Sequence, residues 1–90
     1  MKLTQHAQAR TQQRGIPALM IDLLEQFGAK EKARDGSVML FFDKAARRQI
    51  KAYVGPLSRS IEEYMNVYAV VSCDDHVITV GHRLEHIRRH

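Results

Sequence analysis

Two apolar runs near the C-terminus constrain the fold of this chain more than any other feature. Val67–Cys73 and Val77–Val80 are rich in β-branched and aromatic residues, and the short polar segment 74–76 separates them. Such runs predict neighbouring strands joined by a tight turn. A central strand buried on both faces needs a continuous apolar run, so we expect this hairpin to form such a sheet core. The second run leads into His82 and Arg83, so these side chains are expected at a rigid strand end.

Length and composition limit the class of protein. Ninety residues predict one domain, 1–90, with one modest core. The 14 Lys and Arg residues outnumber 10 acidic residues, and the net charge of +4 favours polyanionic partners. The single cysteine, Cys73, excludes an internal disulfide and predicts a reducing compartment, and its place in an apolar run predicts a buried thiol. The sequence lacks a signal peptide and a membrane span, so we expect a cytoplasmic protein without a membrane partner.

Two helices are predicted in the N-terminal third. Thr4 is a suitable N-cap for a helix over Gln5–Arg14, which Gly15 ends, and Pro17 suits the first turn of a helix that runs to Phe27. The first helix is mostly polar, and three cationic side chains share one face because they recur every four residues: His6, Arg10 and Arg14. This stripe indicates either a functional face or a solvated one.

The central part of the chain predicts a hairpin and then a third helix. Asp35-Gly36 before an apolar run is a strong hairpin signal, because both residues tolerate positive φ. Asp43 is a suitable N-cap for a helix from Lys44 to about Val54. For residues 57–66 we expect a short helix or an irregular connection, with Ser60 and Glu63 at capping-box spacing.

The third helix separates into an apolar face and an uninterrupted basic face. The basic face predicts contact with a nucleic-acid backbone, and an ordinary solvated face is the alternative. Its members are Lys44, Arg47, Arg48 and Lys51.

No metal or other cofactor is predicted. His82, His86 and His90 are spaced four apart, but a structural zinc needs four well-supported ligands, and His90 is the last residue. Patterns typical of a P-loop, a Rossmann fold, an HExxH metalloprotease or a nucleophile elbow are missing from the sequence.

The histidines and arginines match the requirements of RNA cleavage without a metal. Transfer of a phosphate to a neighbouring 2′-hydroxyl needs a base, an acid and fixed cations around the transition state. Histidine can serve either proton-transfer role, and arginine binds phosphate oxygens. If the first helix packs beside the sheet, its cationic side chains could converge with groups in or near the last strands. The two sets are His6, Arg10 and Arg14 on the helix, and Tyr64, Tyr68, Thr79, His82 and Arg83 in or near the strands.

Two motifs carry a resemblance to a known family. His6-x3-Arg10-x3-Arg14-Gly-Ile and Val77-Ile-Thr-Val-Gly-His-Arg83 resemble a family of small uncharacterised bacterial domains related to the RelE/ParE-type toxins. The resemblance implies an α+β fold with a small antiparallel sheet of about four strands, two N-terminal helices and one inserted basic helix. It also implies the functional set His6, Arg10, Arg14, Thr79, His82 and Arg83. The segment Lys44–Asn66 departs from the family, because it is longer and more helical than in compact toxins.

Three functions follow as hypotheses. The first is a RelE-like toxin-type RNase, a metal-independent endoribonuclease acting on free RNA or ribosome-bound mRNA. The second is a non-catalytic nucleic-acid- or ribosome-binding module that uses the third helix. The third is an interaction domain whose edge strand pairs with an antitoxin protein.

Overall fold

The computed structural model describes residues 2–83, in which three α-helices pack on one face of a five-stranded sheet. The strand order is β1-β5-β4-β3-β2. The elements are β1 (Lys2–Leu3), α1 (Gln5–Arg14), α2 (Ala18–Phe27), β2 (Ala29–Lys32), β3 (Val38–Phe41), α3 (Lys44–Val54), β4 (Val67–Val71) and β5 (His76–His82).

The α+β class is confirmed, but the sheet differs from the expected four antiparallel strands. Each strand from β2 to β5 pairs antiparallel with the next one along the chain, whereas β1 adds a fifth strand that pairs parallel with β5. The sheet is therefore mixed. β1 could not be predicted, because two residues, one of them lysine, are too short to show a strand periodicity.

The predicted caps of α1 and α3 are confirmed. The Thr4 hydroxyl accepts a hydrogen bond from the Ala7 N–H at 3.2 Å, and Gly15 ends α1 in the left-handed conformation with φ 63°. An Asp43 carboxylate oxygen accepts from the Ala46 N–H at 2.8 Å. Each cap satisfies a backbone donor that would otherwise lack a partner at a helix start.

Gly28 ends α2 for a steric reason. Its backbone is extended, with φ −65°, and its N–H donates to the Leu24 carbonyl at 2.9 Å. A Cβ atom at this position would lie 2.5 Å from that same oxygen. Only glycine therefore lets the chain turn this closely from α2 into β2.

Burial in the sheet is one-sided, which corrects the expectation of a strand buried on both faces. Along β4, Val67, Ala69 and Val71 are buried against the helices, while Tyr68 and Val70 on the other face are half-buried. The core lies between the sheet and the helices, where Met20, Leu24 and Ile50 join these strand residues. We call the side covered by helices the helix face and the other side the open face.

The two antiparallel hairpins have turns of the same construction. Ala33 N–H donates to Ser37 O at 2.8 Å in the first turn, and Ser72 N–H donates to His76 O at 2.8 Å in the second. The third loop residue of each is left-handed: Gly36 has φ 89° and Asp75 has φ 70°. The Asp35-Gly36 hairpin prediction is confirmed, although only Gly36 uses positive φ.

Cys73 is exposed, so the prediction of a buried thiol is wrong. β4 ends at Val71, and Cys73 belongs to the turn that follows. The apolar run in the sequence continues past the end of the strand, and hydropathy alone does not show where pairing stops.

The segment between α3 and β4 contains two short 3₁₀ helices, Gly55–Arg59 and Glu62–Tyr64. The capping-box prediction is wrong, because Ser60 ends the first 3₁₀ helix and its N–H donates to the Leu57 carbonyl. Within residues 2–83, no helix has the length and apolar character needed to cross a bilayer.

Candidate functional site

The most specific polar arrangement in the described residues joins the start of β4 to the end of β5. Asn66 precedes β4, and its side-chain oxygen lies 3.1 Å from Nδ1 of His82. Its side-chain nitrogen donates to the Arg83 carbonyl at 3.3 Å, and its backbone carbonyl accepts from the Arg83 N–H at 2.6 Å. Three hydrogen bonds therefore fix Asn66 against the strand end that carries His82.

This arrangement assigns the tautomer of the neutral His82 ring. The Arg83 carbonyl can only accept, so the Asn66 amide nitrogen must face it and the amide oxygen must face His82. An amide oxygen accepts, so Nδ1 of His82 carries the hydrogen. The other ring nitrogen, Nε2, then holds the free lone pair that a general base requires.

β5 distributes the predicted residues over both faces of the sheet. His82 pairs with the buried Val67 and therefore lies on the helix face. Thr79 pairs with Val70 and lies on the open face, although strict alternation from the buried Val77 would place it on the helix face. A register shift between Val70 and Val71 gives β5 one extra residue and reverses the alternation. Arg83, next to His82, belongs to the open face.

Arg83 lies over an aromatic ring on the open face. Its guanidinium carbon is 4.5 Å from the centre of the Phe41 ring. Phe41 pairs with Tyr68, whose ring covers Gly81 so closely that a Cβ there would lie 3.0 Å from a ring carbon. Arg83 and Thr79 are therefore separated from His82 by the plane of the sheet.

α1 packs against β5 on the helix face, the same side as His82. Ala7 is fully buried there, and the Thr4 N–H that precedes α1 donates to Val77 O at 3.0 Å. His6 and Arg14 are exposed, whereas Arg10 is half-buried. Nε of Arg10 is buried without a hydrogen-bond partner among the described residues. α1 thus packs on the strand that carries His82, but the hydrogen bonds and ion pairs of the described residues include none between His82 and His6, Arg10 or Arg14, and the catalytic roles of these side chains remain predictions.

The predicted basic face of α3 contains one residue with a structural role. Arg47 donates from Nε to Phe42 O at 3.3 Å and from Nη2 to Met65 O at 3.2 Å. It links α3 to the segment before β4. Lys44, Arg48 and Lys51 are exposed, and among the described residues they form no ion pair.

A groove of about 710 Å³ lies between α3 and the two 3₁₀ helices. Arg47 and Lys51 line it from α3, and Ser58, Arg59 and Glu62 line it from the other side. Met65 also lines the groove and directly precedes Asn66 in the chain. The groove therefore begins next to the residue that orients His82.

The β4–β5 turn contains a serine, an aspartate and a histidine that do not form a catalytic triad. Asp74 Oδ1 accepts a hydrogen bond from the Ser72 hydroxyl and lies 3.1 Å from Nδ1 of His76. A nucleophilic serine needs the histidine between itself and the carboxylate, but here the carboxylate is in the middle. The cluster therefore stabilises the turn.

The described residues do not assemble a metal site. Among residues 2–83, no group of three His, Cys, Asp or Glu side chains could hold an ion. His86 and His90, which completed the histidine spacing in the sequence, lie outside the described residues.

Sequence reasoning did not identify Asn66 or Phe41 as site residues. Asn66 lies between an ambiguous segment and a strand, and its contact with His82 spans 16 positions. Phe41 belongs to an apolar run that is typical of core residues, and its position on the open face becomes evident only in the sheet. The alternation of polar and apolar residues along β5 could have shown which side chains share a face of the sheet, but the register shift interrupts that alternation.

Comparisons of this chain with protein-family models, with curated proteins and with solved structures returned no match. The resemblance to the RelE/ParE-related family therefore rests on the two motifs and stays a prediction.

Proposed function

We propose that this domain acts on RNA as a RelE-like, metal-independent endoribonuclease in which His82 transfers a proton. The observation that supports this most directly is the Asn66–His82 contact, which leaves Nε2 of the neutral ring as a base. Asparagine is known to orient a catalytic histidine in other enzymes. A cytoplasmic location, an antitoxin partner and the RelE-like architecture belong to the same proposal.

The proposed reaction is an internal transfer at phosphorus. Nε2 of His82 takes the proton of a 2′-hydroxyl, the 2′-oxygen forms a bond to phosphorus, and the bond from phosphorus to the 5′-oxygen breaks. The leaving oxygen receives a proton from His6, and the products are a 2′,3′-cyclic phosphate and a 5′-hydroxyl. Arg10 and Arg14 stabilise the charge on the phosphorus oxygens, since guanidinium groups match their geometry.

A comparison of two histidine variants tests the proposal. The wild-type domain, His82→Ala and His76→Ala are incubated with an end-labelled RNA, alone in the presence of EDTA and, in a separate reaction, with ribosomes in magnesium buffer. We expect cleavage to cyclic-phosphate ends by the wild type and by His76→Ala, and at least a hundredfold slower cleavage by His82→Ala. Equal cleavage by His82→Ala, or intact RNA with every protein, would contradict the proposal.

A non-catalytic nucleic-acid-binding module is the second candidate. The exposed cations Lys44, Arg48 and Lys51, which form no ion pair with any described residue, favour it. Such a module would bind RNA with an affinity that falls steeply with salt and does not change in His82→Ala. Binding that is independent of salt would contradict it.

A further inference from the structure

We propose that the groove between α3 and the 3₁₀ helices binds a nucleotide of a single-stranded RNA next to His82. This inference rests on the proposed action on RNA and specifies its substrate class. It assigns a role to Lys51 and Arg59, of which Arg59 was not part of any predicted site.

The charge around the groove fits an anion. Three cationic side chains line it, Arg47, Lys51 and Arg59, against one carboxylate, Glu62. Lys51 and Arg59 are exposed and form no ion pair with any described residue. Their mutual repulsion across the groove is relieved when a phosphate group binds between them.

Part of the groove wall is apolar, which favours an unpaired nucleotide over a duplex. Ile50 is buried, and Ile61 and Met65 are half-buried along the wall. A base in a duplex has its faces covered by stacking, so it cannot use an apolar surface. A single strand can place a base against Ile61 and Met65 while its phosphates contact the cations.

The groove is connected to the histidine through Arg47 and Met65. The Arg47 guanidinium donates to the Met65 carbonyl at 3.2 Å, which fixes this wall of the groove. The next residue, Asn66, lies 3.1 Å from His82 through its side-chain oxygen. Met65 therefore lines the groove one residue before the Asn66–His82 pair, which is the connection between the groove and the histidine.

Binding of a strand that cannot be cleaved tests the groove separately from the chemistry. A fluorescein-labelled 2′-deoxy oligonucleotide is titrated with wild type, with Lys51→Ala/Arg59→Ala and with the control Lys30→Ala/Lys32→Ala on β2. We expect the groove variant to bind at least tenfold more weakly at low salt. The plot of log K against log salt should become shallower by about 1.4 in slope. Each cation that neutralises a phosphate of a single strand contributes about 0.7 to the steepness. The control removes the same charge outside the groove and should retain the slope.

Two further measurements separate the possible outcomes. Glu62→Gln should tighten binding, because it removes the one carboxylate that lines the groove. The groove variant, Lys51→Ala/Arg59→Ala, should lose much less affinity for a matched duplex than for the single strand. Equal losses of affinity in the groove variant and in the β2 control would overturn the groove assignment, and so would a preference for duplex.

The inference and the proposed function can fail independently. If the groove variant loses oligonucleotide binding and the wild type does not cleave RNA, the groove assignment is supported and the catalytic role of His82 is contradicted. If cleavage depends on His82 but not on Lys51 or Arg59, the RNase activity is supported and the groove assignment is contradicted.

Discussion

Asn66 and His82, 16 positions apart in the sequence, are joined through their side chains at 3.1 Å. The contact crosses from the start of β4 to the end of β5, the two strands that form the centre of the candidate site. The Asn66 amide is itself oriented by the Arg83 carbonyl at 3.3 Å. The orientation of the imidazole is therefore set by backbone geometry, which is a rigid support for a proton-transfer group.

The first prediction concerns the tautomer of His82. In the wild-type protein with a neutral His82 ring, ¹⁵N NMR should show a protonated Nδ1 and an unprotonated Nε2 for His82, because the Asn66 oxygen accepts from Nδ1. Asn66→Ala should yield a mixture of both tautomers. His76, whose Nδ1 contacts Asp74, provides the control and should be unchanged. An Nε2-protonated His82 in the wild type would contradict the assignment.

The second prediction separates the structural arginine of α3 from its exposed neighbour. Arg47→Ala removes two hydrogen bonds to backbone carbonyls and should lower the free energy of unfolding by about 1–2 kcal/mol. Arg48→Ala removes the same charge without such bonds and should change it by less than about 0.5 kcal/mol. Urea unfolding measures both. Equal effects of the two substitutions would show that the hydrogen bonds of Arg47 do not stabilise the fold.

The third prediction compares two glycines that end helices for different reasons. Gly15→Asn should cost only a few tenths of a kcal/mol, because asparagine tolerates the left-handed conformation and no atom lies within 4 Å of the new Cβ. Gly28→Asn should cost about 1–3 kcal/mol, because its Cβ would lie 2.5 Å from the Leu24 carbonyl oxygen. Thermal unfolding of both variants checks this order. The reverse order would exclude the steric explanation for Gly28.

The fourth prediction concerns the left-handed residue of the first hairpin. Aspartate occupies the matching position of the second hairpin, Asp75, so Gly36→Asp should be tolerated at a cost below about 1 kcal/mol. Gly36→Val should cost about 1–3 kcal/mol, since a β-branched residue is strained at φ 89°. The nearest atom to a new Cβ is Cys73 Cβ at an ordinary 3.9 Å, so the difference reports backbone strain. Similar losses in urea unfolding for the two variants would contradict this explanation.

The fifth prediction concerns acid stability. The Ser72 hydroxyl, and then His76, lower the pKa of Asp74 below its ordinary value of 3.8. A carboxyl whose pKa is lower in the folded state stabilises the fold above pH 3.8, and this contribution is lost as the pH falls through the folded value. Asp74→Asn should therefore reduce the loss of unfolding free energy between about pH 5 and about pH 2.5, as measured by urea titration.

Some pH dependence should remain in Asp74→Asn. Ser37 lowers the pKa of Asp35 in the same direction through hydrogen bonds from its hydroxyl and its N–H. The double variant with Asp35→Asn should show a further reduction. An unchanged acid profile in both variants would mean that these turn carboxylates do not contribute.

Local signals in the sequence predicted most of the fold, and long-range contacts account for what they missed. Thr4, Gly15 and Asp43 act within a few residues, so their caps could be predicted from neighbouring residues alone. β1 has too few residues for a pattern and depends on its pairing with β5. The basic face of α3 was evident from helical spacing, but the role of Arg47 depends on Met65, 18 positions away.

The candidate site was predicted only in part for the same reason. His82 and the cations of α1 were candidates from the sequence, because those residue types have characteristic chemistry, and their roles stay predictions. It could not show that Arg83 and Thr79 lie on the opposite face from His82, since the register shift that sets these faces lies in the pairing with β4. Nor could it identify Asn66, whose importance comes from three hydrogen bonds to the other end of the hairpin.

The closure of the final hairpin has a consequence for how this domain can diversify. The turn hydrogen bonds close one end, and the contacts of Asn66 with His82 and Arg83 close the other. The histidine and the residue that orients it therefore lie within one continuous segment, 66–83, whose internal pairing has a small loop-closure entropy. Insertions or substitutions in α1 and α3 can change the cations around this segment without changing the histidine itself. In the proposed reaction, the arginines that contact phosphate can therefore change while the Asn66–His82 pair stays the same.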